Sequence, residues 1–192
     1  MKPTDFAKHL TAFFSEHLPG TRNLSSNTIQ SYRDTFRLLL AYCRDCENTP
    51  PEKLCIGSFD KKLILCFLDW LQQERGCSIA TRNIRLAAIH SFFRYVQAQE
   101  PELLLHCQLV LNVPFKKCQQ PIIQHLTPDQ TRNLLAAPGF SSRANRRDTT
   151  LLSVLYDTGA RVQELCDLLV RDVRLDHPSI ITLTPEFRVE LA

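Results

Sequence analysis

The residues best suited to chemistry lie in one stretch, Leu155-Tyr156-Asp157-Thr158-Gly159-Ala160-Arg161-Val162-Gln163-Glu164-Leu165. Gly159 permits a sharp backbone turn, and the apolar spacing beyond it predicts a helix restarting at Ala160. Arg161 then falls in the first turn, beside free backbone N–H groups and the positive end of the helix dipole. A guanidinium there has fork geometry suited to the two non-bridging oxygens of a phosphodiester. Glu164, three residues on, either holds Arg161 in orientation or favours the helix N-terminus. From these residues alone, a solvated surface arginine is the other reading.

The cysteines offer less. Of the eight, only Cys43-Arg44-Asp45-Cys46 forms a C-x-x-C, and no second ligand pair follows at matched spacing. Metal and cofactor chemistry is therefore not expected, and reduced thiols packed as small hydrophobes are. The tyrosines, Tyr32, Tyr42, Tyr95 and Tyr156, all lie upstream of Arg161 on predicted helices, where packing aromatics are expected.

The elements that must position these groups are mostly helices. Phe6, Leu10, Phe13 and Phe14 share one face of a first helix ending near Pro19-Gly20. A serine cap at Ser25-Ser26 precedes a longer helix with Ile29, Tyr32, Phe36, Leu39, Leu40 and Cys43 at helical spacing. Asp60 caps a third helix (Ile64, Phe67, Leu68, Leu71), which Gly76 ends. Ser78 caps a fourth, with Leu86, Ile89, Phe93 and Val96 inward, running to about Gln99. Four amphipathic helices with short links predict a bundle over residues 1–100.

Residues 101–125, with Pro101, Pro114, Pro121 and the pair Lys116-Lys117, read as an edge helix and linker. A second domain, 126–192, opens at Leu126-Thr127-Pro128-Asp129, an N-cap and N1 arrangement. A helix is predicted over about Asp148 to Asp157. Ser179 to Leu183 is the first strand signal, and its hydrogen-bonding partner is expected to lie outside this sequence.

The 155–165 stretch resembles the T-G-x-R-x-x-E-L box that carries the first catalytic arginine of tyrosine recombinases (the phage-integrase, Xer-like family). Leu126-Thr127-Pro128-Asp129 resembles the start of their catalytic domain, and Leu168-Leu169-Val170-Arg171-Asp172-Val173 the L-x-x-x-D-[IV] tail before its first strand. Residues 24–34 and 80–95 resemble the SAM-like core-binding domain of the same family. The resemblance implies a mainly α chain: a four-to-five-helix SAM-like bundle, then the N-terminal helical part of a mixed α/β catalytic domain.

In that family the two domains close around duplex DNA, and a tyrosine attacks the scissile phosphate without a metal. The resemblance gives Arg161 the role of a transition-state arginine and Glu164 a supporting one. The lysine, H-x-x-R box and C-terminal tyrosine of the family have no counterparts in these residues. The chain is thus expected to end before its nucleophile and not to cleave DNA alone.

Family DNA contacts fall on the second and fourth bundle helices, which implies Asn27, Thr28, Ser31 and Arg33 on one, and Ser78, Thr81, Arg82 and Arg85 on the other. Arg82 and Arg85 point near the apolar stripe of their helix. Because charges avoid burial, those turns are expected to extend past the core, open to phosphate. Lys116 and Lys117 are expected to follow the DNA backbone, with Arg143, Arg146 and Arg147 as a further contact group.

The expected partner is double-stranded DNA, with an intact recombinase protomer as a second one. A non-catalytic DNA-binding module competing or pairing with such a protomer is the alternative, and a helical protein-interaction domain a third reading. A net charge of +3 neither demands nor excludes a nucleic-acid partner. No apolar run is long enough for a bilayer and no signal peptide is visible, so a cytoplasmic location without a membrane or small-molecule substrate is expected.

Overall fold

The computed structural model of the protein describes residues 3–118, 125–184 and 187–190. The chain forms two compact units, Met1–Gln120 and Pro121–Ala192.

The first unit is helical. α1 (Asp5–Ala12) is capped by the Thr4 side chain and runs into a π-helical stretch, Phe13–Thr21, so helical backbone continues through Pro19. α2 spans Ser26–Asp45, α3 Lys61–Gln73 and α4 Ile79–Gln99. Each starts where a short polar side chain accepts a hydrogen bond from a free N–H: Ser25 from Thr28, Asp60 from Leu63, Ser78 from Thr81. α5 (Leu104–Leu111) packs on α4 and adds Cys107 and Val110 to the core, with Val113 just beyond it.

The aromatic centre of the core is Phe92. Its ring lies 5.6 Å from Phe6, 5.4 Å from Phe13 and 5.2 Å from Phe36, each near edge-to-face. α4 therefore passes through the middle of the unit, touching α2, α3 and α5. That position corrects one expectation. Arg82 does not extend past the core: it is buried, with 1% of its surface exposed, because α4 is enclosed on several sides.

The second unit is shaped by local signals. Thr127 and Gln130 form a reciprocal capping box at the start of α6 (Pro128–Ala136). α7 covers Arg143–Thr158, starting a turn earlier than the periodicity predicts because Ser142 caps it. Gly159, at φ 63°, ends α7 in the left-handed region that favours glycine. α8 (Val162–Cys166) follows, then a three-stranded antiparallel sheet, β1 (Val173–Arg174), β2 (Ile180–Thr184) and β3 (Phe187–Glu190).

The sheet overturns the expectation that the strand has no partner in this chain. β2 pairs with β1 through Val173 and Ile181, and with β3 through Ile181 and Val189. Strands this short satisfy their backbone through near neighbours, a signal too weak to read from two- and four-residue segments. The part of the predicted linker at 119–124, including Pro121, lies outside the described residues.

Candidate nucleic-acid and phosphate sites

α2 and α4 begin with the same local device. Ser25 and Ser78 each cap their helix, and each hydroxyl lies 3.0 Å from that of the threonine three residues on, Thr28 and Thr81. Ser25 and Ser78 are thereby occupied in holding helix ends, while the Thr28 and Thr81 hydroxyls each keep hydrogen-bonding capacity beyond that contact. Between the two helices runs a groove lined by Asn27, Gln30, Ser31, Asp34, Thr81, Ile84 and Arg85.

Four of the predicted contact residues, Asn27, Ser31, Thr81 and Arg85, thus share one surface although α2 and α4 are some fifty residues apart in sequence. Arg85 is half-buried, and its Nε is buried without a hydrogen-bond partner, leaving donor capacity unused on a fixed side chain. Gln30 and Asp34, missed by the sequence reading, complete the groove. Residues 27, 30, 31 and 34 recur at helical spacing, so their common face was readable in principle. Asp34 is not a bare acid: Gln30 Nε2 donates to it at 3.2 Å and the Arg37 guanidinium stands at 3.7 Å.

The remaining candidates divide. Arg33 is exposed, with its guanidinium carbon 5.7 Å from the Phe14 ring centre. Arg82 donates from Nη1 to Asn83 Oδ1 at 3.3 Å while its Nε finds no partner. Burial lowers its affinity for a proton and the Asp69 carboxylate opposes that effect. The Asn83 amide in turn clasps the Lys116 backbone, donating to its carbonyl at 2.7 Å and accepting from its N–H at 3.1 Å. The Lys116 ammonium turns to Gln72 at 2.5 Å and Asp69 at 3.4 Å. Lys116 is therefore engaged within its own unit, whereas Lys117 is exposed.

In the second unit, the turn before Arg161 is built by Thr158. Its hydroxyl donates to the Val154 carbonyl at 2.6 Å and accepts from the Ala160 N–H at 3.2 Å. Arg161 is the N-cap residue of α8 rather than part of its first turn, because Gly159 and Ala160 stay outside the helix. Glu164 Oε2 accepts from the Arg161 N–H at 2.9 Å, and Oε1 accepts from its guanidinium at 2.7 Å.

These bonds from Arg161 hold the Glu164 carboxyl below the usual carboxylate range. Both alternatives for Glu164 hold at once: it caps the helix and orients the arginine. The Arg161 side chain is 84% exposed, so the rest of its fork faces solvent. Arg143 and Arg146 are also exposed, and Arg147 pairs with Asp148 at 2.8 Å.

Among the described residues no group of three or more His, Cys, Asp or Glu side chains could hold a metal, and no helix is long and apolar enough to cross a membrane. Within the C-x-x-C, Cys43 is buried and Cys46 exposed. Burial pushes the Cys43 thiol up to about 11, away from reactive thiolate character.

Comparison with known proteins gives a consistent result. Residues 12–100 match the phage integrase N-terminal SAM-like domain. The integrase/recombinase y4rC of Sinorhizobium fredii is 41% identical over 167 residues, covering 87% of this chain and 50% of that protein. A second S. fredii integrase/recombinase, y4rD, is 38% identical over 90% of this chain and 62% of its own length. The tyrosine recombinase XerC of Roseiflexus castenholzii is 30% identical over 93% of this chain and 54% of its own.

Among solved structures, the XerH site-specific recombinase bound to palindromic difH substrate matches with a TM-score of 0.56. It is 20% identical over 83% of this chain and 46% of that one, which supports the fold. The chain spans 50% to 62% of the length of these curated relatives. Residues 12–100 thus carry a phage integrase N-terminal SAM-like domain, and across most of its length the chain is similar to integrases and XerC tyrosine recombinases.

Proposed function

We propose that these residues are the DNA-holding portion of a site-specific tyrosine recombinase acting in DNA integration and recombination. The observation that carries the reading is the α2/α4 groove, where Asn27, Ser31, Thr81 and Arg85 present an amide, two hydroxyls and a guanidinium. Such groups position a phosphate backbone, which makes affinity fall steeply with salt. Residues 1–100 then act as a core-binding domain, 101–125 as edge helix and linker, and 126–192 as part of a catalytic domain. Arg161 contributes phosphate and transition-state stabilisation, oriented by Glu164.

Cleavage is not assigned to these residues. Tyr42 is buried and donates its phenolic hydrogen to Glu47 at 2.8 Å, which with burial raises its pKa far above the ordinary value. Burial also raises Tyr95. A tyrosine held in its neutral form is a poor nucleophile.

The test is a gel shift on duplex DNA at graded salt. Arg85→Ala is expected to weaken binding about tenfold while leaving the melting temperature within a degree or two, as loss of one charge-assisted contact implies. Unchanged affinity in Arg85→Ala would remove the groove from the DNA interface. A nicked duplex that traps covalent adducts is expected to yield none, and an adduct would overturn the assignment of no cleavage. The second reading, a module competing or pairing with an intact recombinase protomer, predicts a changed recombination rate when this chain is mixed with such a protomer. No change would discard it.

A further inference from the structure

A second basic pocket lies on the first unit, away from the α2/α4 groove, lined by His17, Arg22, Ser91, Arg94, Tyr95 and Gln99 along with Ala98. Its backbone is unusual. Residues Phe13–Thr21 form a π-helix, a wide-turned geometry that recurs at functional sites. The Arg22 N–H closes the last wide turn on the His17 carbonyl at 2.9 Å, which brings Arg22 directly beside His17. The His17 ring is fixed between Phe13, stacked at 5.8 Å, and Tyr95 at 4.7 Å. Burial and the Arg22 charge both lower its pKa, keeping it neutral with an N–H to donate.

The charges in the pocket are uncompensated. Among the described residues, neither Arg22 nor Arg94 has a carboxylate partner, although exposed arginines elsewhere in the chain, such as Arg44 and Arg147, do. Of the nearby acids, Glu100 is engaged by His9 at 3.3 Å, and Glu16 acts on the Tyr95 phenol. Two guanidinia, an imidazole, and the hydroxyls of Ser91 and Tyr95 converging on one concavity form a donor set for a compact oxyanion with several acceptor oxygens.

We propose that this pocket binds a phosphate group. Arg94 lies nine residues beyond Arg85 on α4, roughly 14 Å along the axis and half a turn around it. The pocket is therefore a separate site from the α2/α4 groove, and it does not depend on that groove binding DNA. Phosphate could reach it from two sources, a backbone phosphate of nucleic acid or a free phosphate species.

The test follows the His17 and Arg22 side-chain signals of the full 192-residue protein by NMR during titration with inorganic phosphate at constant ionic strength. A parallel titration uses duplex DNA. A saturable shift with phosphate, weakened about tenfold or more in Arg22→Gln with Arg94→Gln, is expected for two charge-assisted contacts. A shift produced by DNA and not by phosphate assigns the pocket to a backbone phosphate. No shift with either overturns the proposal, as does a shift that the double variant leaves unchanged. Both arginines are exposed, so the variants are expected to keep the parent's helical circular dichroism, and Arg85→Ala serves as the control that reports on the groove alone.

Discussion

The two units of this chain are built on different principles. In the first, a continuous cluster of buried side chains runs from Phe6 to Val113, with four phenylalanines around Phe92 and α4 at its centre. In the second, among the described residues only Ile181 is buried, at 4% exposure, while Phe140, Tyr156, Val162 and Leu175 are exposed. Its elements stand on capping boxes, a glycine stop and short strand pairings. Caps contribute about 1 kcal/mol each, whereas a buried aromatic contributes several. The first unit is thus a scaffold that can hold a groove in fixed shape. The second presents Arg161 on a locally ordered turn, with much of its apolar surface uncovered.

The sharpest way to break this contrast is limited proteolysis. A fragment ending near residue 118 is expected to persist while the second unit is degraded, read by mass spectrometry. Equal persistence of both parts would show that the second unit has more cohesion than its burial indicates.

Next in size are core truncations. Phe92→Ala is expected to lower unfolding free energy by about 3–5 kcal/mol, whereas Leu175→Ala, on an exposed side chain, changes it by less than about 0.5 kcal/mol. Urea titrations followed by circular dichroism measure both. A large effect of Leu175→Ala would mean that this residue is covered in solution.

Arg82→Ala separates scaffold from surface within the first unit. Removing the buried guanidinium, which spans from Asn83 toward Asp69, is expected to destabilise the fold by about 1–3 kcal/mol through lost packing and a stranded partner. DNA affinity, compared at a temperature where the variant is folded, should stay within about twofold of the parent, unlike Arg85→Ala. A specific loss of DNA affinity without loss of stability would restore Arg82 to the interface.

The smallest expected effect is one of pH. His90 is buried with its Nε2 lacking a hydrogen-bond partner, so burial and then the Arg94 charge hold its pKa below the ordinary 6.5, against the opposing pull of the Val110 backbone. A depressed folded-state pKa makes the unfolded chain take up the proton first. The stability it contributes is present above pH 6.5 and is lost as pH falls from there through the folded value. Glu164 behaves with the same sign in the lower carboxylate range, starting below 4.5. Urea midpoints at pH 7.5 and 5.5 should therefore differ for the first unit, and His90→Phe should flatten that difference. An unchanged slope in the variant would assign the pH response to other groups.

What the sequence determined by itself was local. Ser25, Asp60, Ser78 and Thr127 mark helix starts because a cap needs only a side-chain oxygen three residues from a free N–H. Leu86, Ile89, Phe93 and Val96 mark a buried face because helical periodicity is intrinsic to the chain. The T-G-x-R-x-x-E-L box fixed the Arg161–Glu164 pair for the same reason, since both ends lie within one turn.

Tertiary packing decided everything that depends on what stands opposite a side chain. A helical wheel gives the direction in which Arg82 points but not the presence of α3, whose Asp69 acts on it, or of Lys116 held on the neighbouring Asn83. The same limit hid the pairing of β2 with β1 and β3 and the convergence of Asn27 and Ser31 with Thr81 and Arg85. It also hid the meeting of Arg22 with Arg94, which lie far apart in sequence. Distances along the chain set local geometry, while burial and convergence come from segments that only the folded core brings together.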